Sequence, residues 1–117
     1  MAKVPLTGLR IEVPHGSTPE QVGQLLQEFA EDIAQNKFPD WGVRISPLEG
    51  NRLRLAGGQD ETHFEAEVSA EPDRAVVVID GAIDIGRVKL ALAGGPEGVR
   101  RRVADGIERT LRDHLAS

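Results

Sequence analysis

Three histidines and two closely spaced aspartates are the residues of this 117-residue chain whose types invite chemistry. His15, His63 and His114 would be natural metal ligands, because neutral imidazole is the commonest protein ligand for such ions. No two of them have the His-x-x-x-His spacing that places two rings on one helix face, and the chain has no cysteine. The spacing therefore predicts no metal site. Asp80 and Asp84 stand four apart on an extended run, so they share one face of a strand. Paired carboxylates can divide acid and base roles when burial separates their pKa values. Solvated acids are the commoner arrangement, and His63 with Asp84 would form a dyad only if the strands brought them together. No Gly-x-Ser-x-Gly elbow is present, and no catalytic residue is assigned. "GGPEGVRRR" combines glycines, a helix start and arginines in the manner of a phosphate cradle. It lacks the Gly-x-x-x-x-Gly-Lys pattern, and Glu97 occupies the first turn, where it complements the helix dipole. The stretch reads as a loop-to-helix junction, no cofactor is implied, and Arg100 to Arg102 read as a solvated face with Asp105 and Glu108 within reach.

The elements that must position these groups follow from hydrophobic periodicity. "LRIEV" (9–13) alternates as a half-buried strand does, and Pro14 stops it. His15 follows, three residues before a helix start, and reads as punctuation between strand and helix. Thr18, Pro19 and Gln21 make a capping box with proline at the first helical position. Val22, Leu25, Leu26, Phe29 and Ile33 form one apolar stripe, and the helix should end near Asn36 to Lys37, before "FPDWG". Strands are expected at 43–46, 52–55, 62–68 and 75–85, with turns at "PLEGN", "GGQDE" and "AEPDR". The unbroken β-branched run Val76 to Ile79 predicts a central strand covered on both faces, and Gly81 predicts a bulge in it. "VKLALA" (88–93) suits strand or helix. Pro96 opens a closing helix whose Val99, Val103, Ile107 and Leu111 climb in steps of four. His114 falls inside that helix's apolar arc, near its end. The expectation is one α+β domain over 1–117, a two-layer sandwich of order β-α-β-β-β-β-α, with an antiparallel sheet carrying two helices on one face. Residues 1–8 are expected to be a flexible N-terminal segment.

Composition narrows the partners. The net charge of −5 disfavours nucleic acid, whose phosphates call for a basic face. No apolar run is long enough for a membrane span, and no secretory h-region opens the chain. A cytoplasmic home is the expectation.

The order of these pieces resembles the polyhydroxyalkanoic acid system proteins, a family of small bacterial proteins associated with polyester storage granules. The resemblance rests on "VPHGSTPEQV" leading into the amphipathic helix, then "GNRLRL", "VVVIDGAIDI" and a closing helix ending "IERTLRDHL". It covers roughly residues 9 to 115 and matches His15 as a motif position only. It implies a non-enzymatic binding module that meets an apolar polymer surface or a protein partner. Val88, Leu90 and Leu92 are the contact residues to expect if they are exposed, since a contiguous apolar patch marks an interaction surface. The alternative is a small-molecule pocket between sheet and helices, for binding or for catalysis, with Trp41, His63, Asp80 and Asp84 as its polar groups. A homodimer through an unpaired edge strand is a third arrangement.

Overall fold

In the computed structural model, which describes residues 2–37, 39–59 and 62–116, the first helix begins where its capping residues place it. Helix α1 spans Pro19–Asp32. The Gln21 N–H donates to Thr18 Oγ1 at 3.3 Å, and the Thr18 N–H donates to Gln21 Oε1 at 3.4 Å. Two of the donors a helix start leaves unpaired are thereby satisfied together. Val22, Leu26, Phe29 and Ile33 of the expected stripe are buried, Leu25 is half-buried, and Ala30 is buried beside them. The helix widens into a π turn at Ile33–Lys37, and a 3-10 turn at Pro39–Trp41 follows.

Among the described residues six antiparallel strands form one open sheet: β1 (Ala2–Pro5), β2 (Leu9–Pro14), β3 (Arg44–Leu48), β4 (Arg52–Gln59), β5 (Thr62–Ala70) and β6 (Arg74–Ile85). The order is β1-β6-β5-β4-β3, and β2 continues beside β6 on the same side as β1. Helix α2 spans Arg87–Leu92, and helix α3 spans Gly95–Leu115. The α+β class stands, with α1 and α3 against one face of the sheet. The other face is solvated and charged: Arg52 pairs with Glu67 at 2.8 Å, Arg54 with Glu65 at 2.9 Å and Arg74 with Glu12 at 3.0 Å.

Four expectations are corrected. The segment 1–8 is not a loose tail over its described part, because residues 2–5 pair with β6 and Val4 and Leu6 are buried in the core. The bulge lies opposite Gly81 rather than in its strand. Pro5 pairs with Ala82 and Leu9 with Ile79, so three residues, Leu6 to Gly8, face two, Asp80 and Gly81. The extra residue switches the inward parity from Val4 and Leu6 to Ile11 and Val13. Gly81 is needed for a different reason: its φ is +117°, and a Cβ there would collide with the His63 carbonyl oxygen of β5. Strand β6 is central but is not covered on both faces, since Val78 is 41% exposed. Strand β4 runs on to Gln59, through glycines expected to form a turn; Asp60 and Glu61 of that turn, like Phe38 of the earlier break, lie outside the described residues.

The ambiguous stretch 88–93 is resolved as helix. Its junction with α3 depends on Gly98, where a Cβ would run into the Ala93 carbonyl oxygen. The close approach lets α2 fold back on α3 although no residue of α2 is buried.

Candidate binding site

The two long helices divide the sheet between them. Helix α3 lies along β1 and β2, and α1 lies along β4 and β5, so the seam between them runs over β6. Short side chains form the floor beneath that seam: Ala66 and Val68 of β5, and Val77 of β6. They do not reach the residues above, Phe29 and Ile33 from α1 and its π turn, and Val103 and Ile107 from α3. A cavity of about 80 Å³ remains, and the described residues around it are all aliphatic or aromatic. Trp41, half-buried on the 3-10 turn, closes one end and leans on Phe64, with ring centroids 5.5 Å apart and planes at 53°.

Of the four residues expected to line such a pocket, the structure places Trp41 there and the other three elsewhere. His63, Asp80 and Asp84 point to the solvated side of the sheet, because the inward residues of β5 and β6 are Phe64, Ala66, Val68, Val77 and Ile79. Asp80 accepts hydrogen bonds from the Thr7 hydroxyl at 2.6 Å and from the Gly81 N–H at 2.7 Å. The Thr7 hydroxyl, chiefly, then the Gly81 amide, hold its carboxyl below the ordinary aspartate value, and the nearby His63 adds to this. The role is structural, since the carboxylate ties down the bulge. Asp84 receives no such support: its Oδ1 is buried without a hydrogen-bond partner, while its N–H donates to Thr62 Oγ1 at 2.8 Å. Among the described residues no hydrogen bond joins His63 to either aspartate, and His63 and Asp80 are exposed. Around His63 and Asp80 the surface is open, without the water exclusion that makes a carboxylate an effective acid or base.

The other histidines are also accounted for. His15 Nε2 lies 2.7 Å from the Glu71 carbonyl oxygen, and the Ser17 N–H donates to Nδ1 at 3.2 Å. The neutral ring protonated at Nε2 satisfies both contacts, so His15 pins the start of α1 to the β5–β6 turn. His114 Nε2 lies 3.2 Å from Asp32 Oδ2 and meets Phe29 edge-on, joining the ends of α1 and α3. Among the described residues, no three histidine, cysteine or acidic side chains converge as a metal site would require.

Val88, Leu90 and Leu92 would form one patch if all three were exposed, as they would be along one strand face. The helix separates them. Val88 and Leu92 stand one turn apart and are 75% and 78% exposed, whereas Leu90 is half-buried. Leu92 also borders a groove with Ile83, Ile85, Val99 and Val103, and Ile83 and Val103 are walls of the cavity as well. One apolar tract therefore runs from Trp41, through the seam, to α2. Of the arginine run, Arg101 and Arg102 are exposed as a solvated face requires, and Arg100 departs from it. Arg100 donates to the backbone carbonyls of Pro5 and Thr7, at 2.7 and 3.1 Å, and Glu108 pairs instead with Arg112 at 2.6 Å.

Among the described residues no helix is long and apolar enough to cross a membrane. Comparison with protein-family models, with curated proteins and with solved structures finds no match to this chain.

Proposed function

We propose that this chain is a non-enzymatic binding module that meets an apolar surface through α2, with polyester storage granules the surface that the sequence resemblance favours. The observation that carries the reading is the uncovered pair Val88 and Leu92. A six-residue helix has little stability of its own, and one that buries none of its residues contributes little to the core. Its apolar side chains are available to a partner. Arg87 and Lys89 alternate with them and are exposed, so aliphatic and cationic groups would reach a polymer surface together. The test is co-sedimentation of the purified protein with polyester granules, comparing the wild type with Val88→Asp/Leu92→Asp. Both substituted sites are exposed, so the variant should fold. Loss of partition in the variant supports the reading; equal partition of the two proteins refutes it.

A second reading is favoured by the cavity itself: a small apolar molecule held between the sheet and the helices. An apolar hollow of this kind stays dry and accepts apolar guests. Of the polar groups expected from sequence only Trp41 lines it, and among the described residues its wall holds no titratable side chain.

A further inference from the structure

The outer wall of the seam has a chemical character of its own. Where α3 passes the π turn, a groove of about 400 Å³ opens along Arg102, Gly106 and Arg109, with Ile33, Val103 and Ile107 forming its base. Those three base residues also line the cavity, so groove and cavity share walls. Although Arg109 also borders a neighbouring groove with Asp105, Glu108 and Asp113, among the described residues the charged groups lining this groove are both arginines. That is unexpected in a chain of net charge −5. Neither arginine has an ion-pair partner among the described residues, although Asp105 and Asp113 stand four residues either side of Arg109. Gly106 lies between them. Glycine is unfavourable in a helix interior, and a Cβ here would meet no atom within 4 Å. Packing does not demand it, and its effect is to keep the groove open between the two arginines.

We infer that the seam binds a linear aliphatic chain ending in one anionic head group, with the tail in the cavity beside Trp41 and the head between Arg102 and Arg109. The inference deepens the small-molecule reading and rests on it. At about the 30 Å³ that a water molecule occupies in the liquid, the 80 Å³ hollow takes two or three groups of methylene size, and the rest of the chain lies in the groove. Arginine suits the head, because its planar fork bonds an anionic oxygen pair in a bidentate fashion.

Trp41 is the sole tryptophan and the chain has no tyrosine, so its fluorescence reports on the cavity. The probe is decanoate brominated at its terminal carbon, titrated below its micelle concentration, since bromine quenches an indole only at close range. Terminally brominated decanol and decanoate brominated beside the carboxylate serve as comparisons. The expected result is saturable quenching by the tail-brominated acid, none by the head-brominated acid, and about tenfold weaker binding of the alcohol. Arg102→Gln/Arg109→Gln should lower the affinity of the acid to that of the alcohol and leave the alcohol unchanged; both sites line an open groove, so this variant should fold. Equal affinities for acid and alcohol, with no effect of the arginine substitutions, overturn the anionic head while the cavity reading stands. Failure of both tail-brominated probes to quench overturns the cavity reading and the inference together.

Discussion

Filling the seam should stabilise the protein and abolish binding to it in one step. Val68 and Val77 are the residues to change, since they face each other in the β5–β6 register, both are buried, and both line the cavity. Replacing each with isoleucine keeps the β-branched shape a strand prefers and adds one methylene apiece. At about 0.8 kcal/mol per buried methylene, Val68→Ile/Val77→Ile gains about 1.6 kcal/mol. The cavity gives a second route to the magnitude. At about 24 cal/mol per Å³, an 80 Å³ hollow withholds about 1.9 kcal/mol. The two values agree, and a gain of 1–2 kcal/mol corresponds to a rise in Tm of roughly 4–8 °C for a domain of this size. Urea denaturation and thermal melting followed by circular dichroism measure it, and Trp41 quenching by tail-brominated decanol reads the loss of the guest site in the same sample. A fall in stability of 1 kcal/mol or more would be the signature of overpacking in a filled core, and would refute the hollow seam.

Three further outcomes follow from the same geometry. Gly106→Ala should raise stability by about 0.5–1 kcal/mol, since the new methyl meets nothing; a loss in urea denaturation would show that the groove floor is already filled. The carboxyl of Asp80 is held below its ordinary value, so its contribution is present above the unfolded pKa near 4 and is lost as pH falls through the lower folded value. Thr7→Val removes the main support, so its stability should fall less steeply than the wild type's below about pH 4; identical acid profiles would contradict the assignment. Finally, Pro47 deprives the β3 edge of a donor in mid-strand and the Leu6–Gly8 bulge disrupts the other edge, features that deter edge pairing. Sedimentation at high micromolar concentration should show a monomer, and a dimer would restore the edge-strand arrangement.

Where local chemistry decides an element, the sequence is readable. The capping box places the start of α1 within a residue, and steps of four define α3. Where tertiary context decides, it is not. The first strand is hidden because the bulge reverses the alternation between Leu6 and Ile11, and Pro5, Thr7 and Gly8 look like a tail. The stretch Val88 to Leu92 alternates like a strand, yet its placement against α3 at Gly98 makes it a helix. The candidate site was legible only in Trp41. Its cavity arises because two helices straddle β6 above Ala66, Val68 and Val77, a relation between distant elements that no local pattern carries. The aspartates drew attention by type and spacing, but strand parity sends both to the solvated face.

The small-molecule reading depends on a seam over β6 that is hollow and apolar. Crystals pressurised with xenon test it most directly, because xenon enters dry apolar cavities and leaves strong density. A xenon peak is expected between Trp41, Phe64, Val77 and Val103 in the wild type and none in Val68→Ile/Val77→Ile. Side-chain density closing that space in the wild type, with no xenon bound, would contradict it.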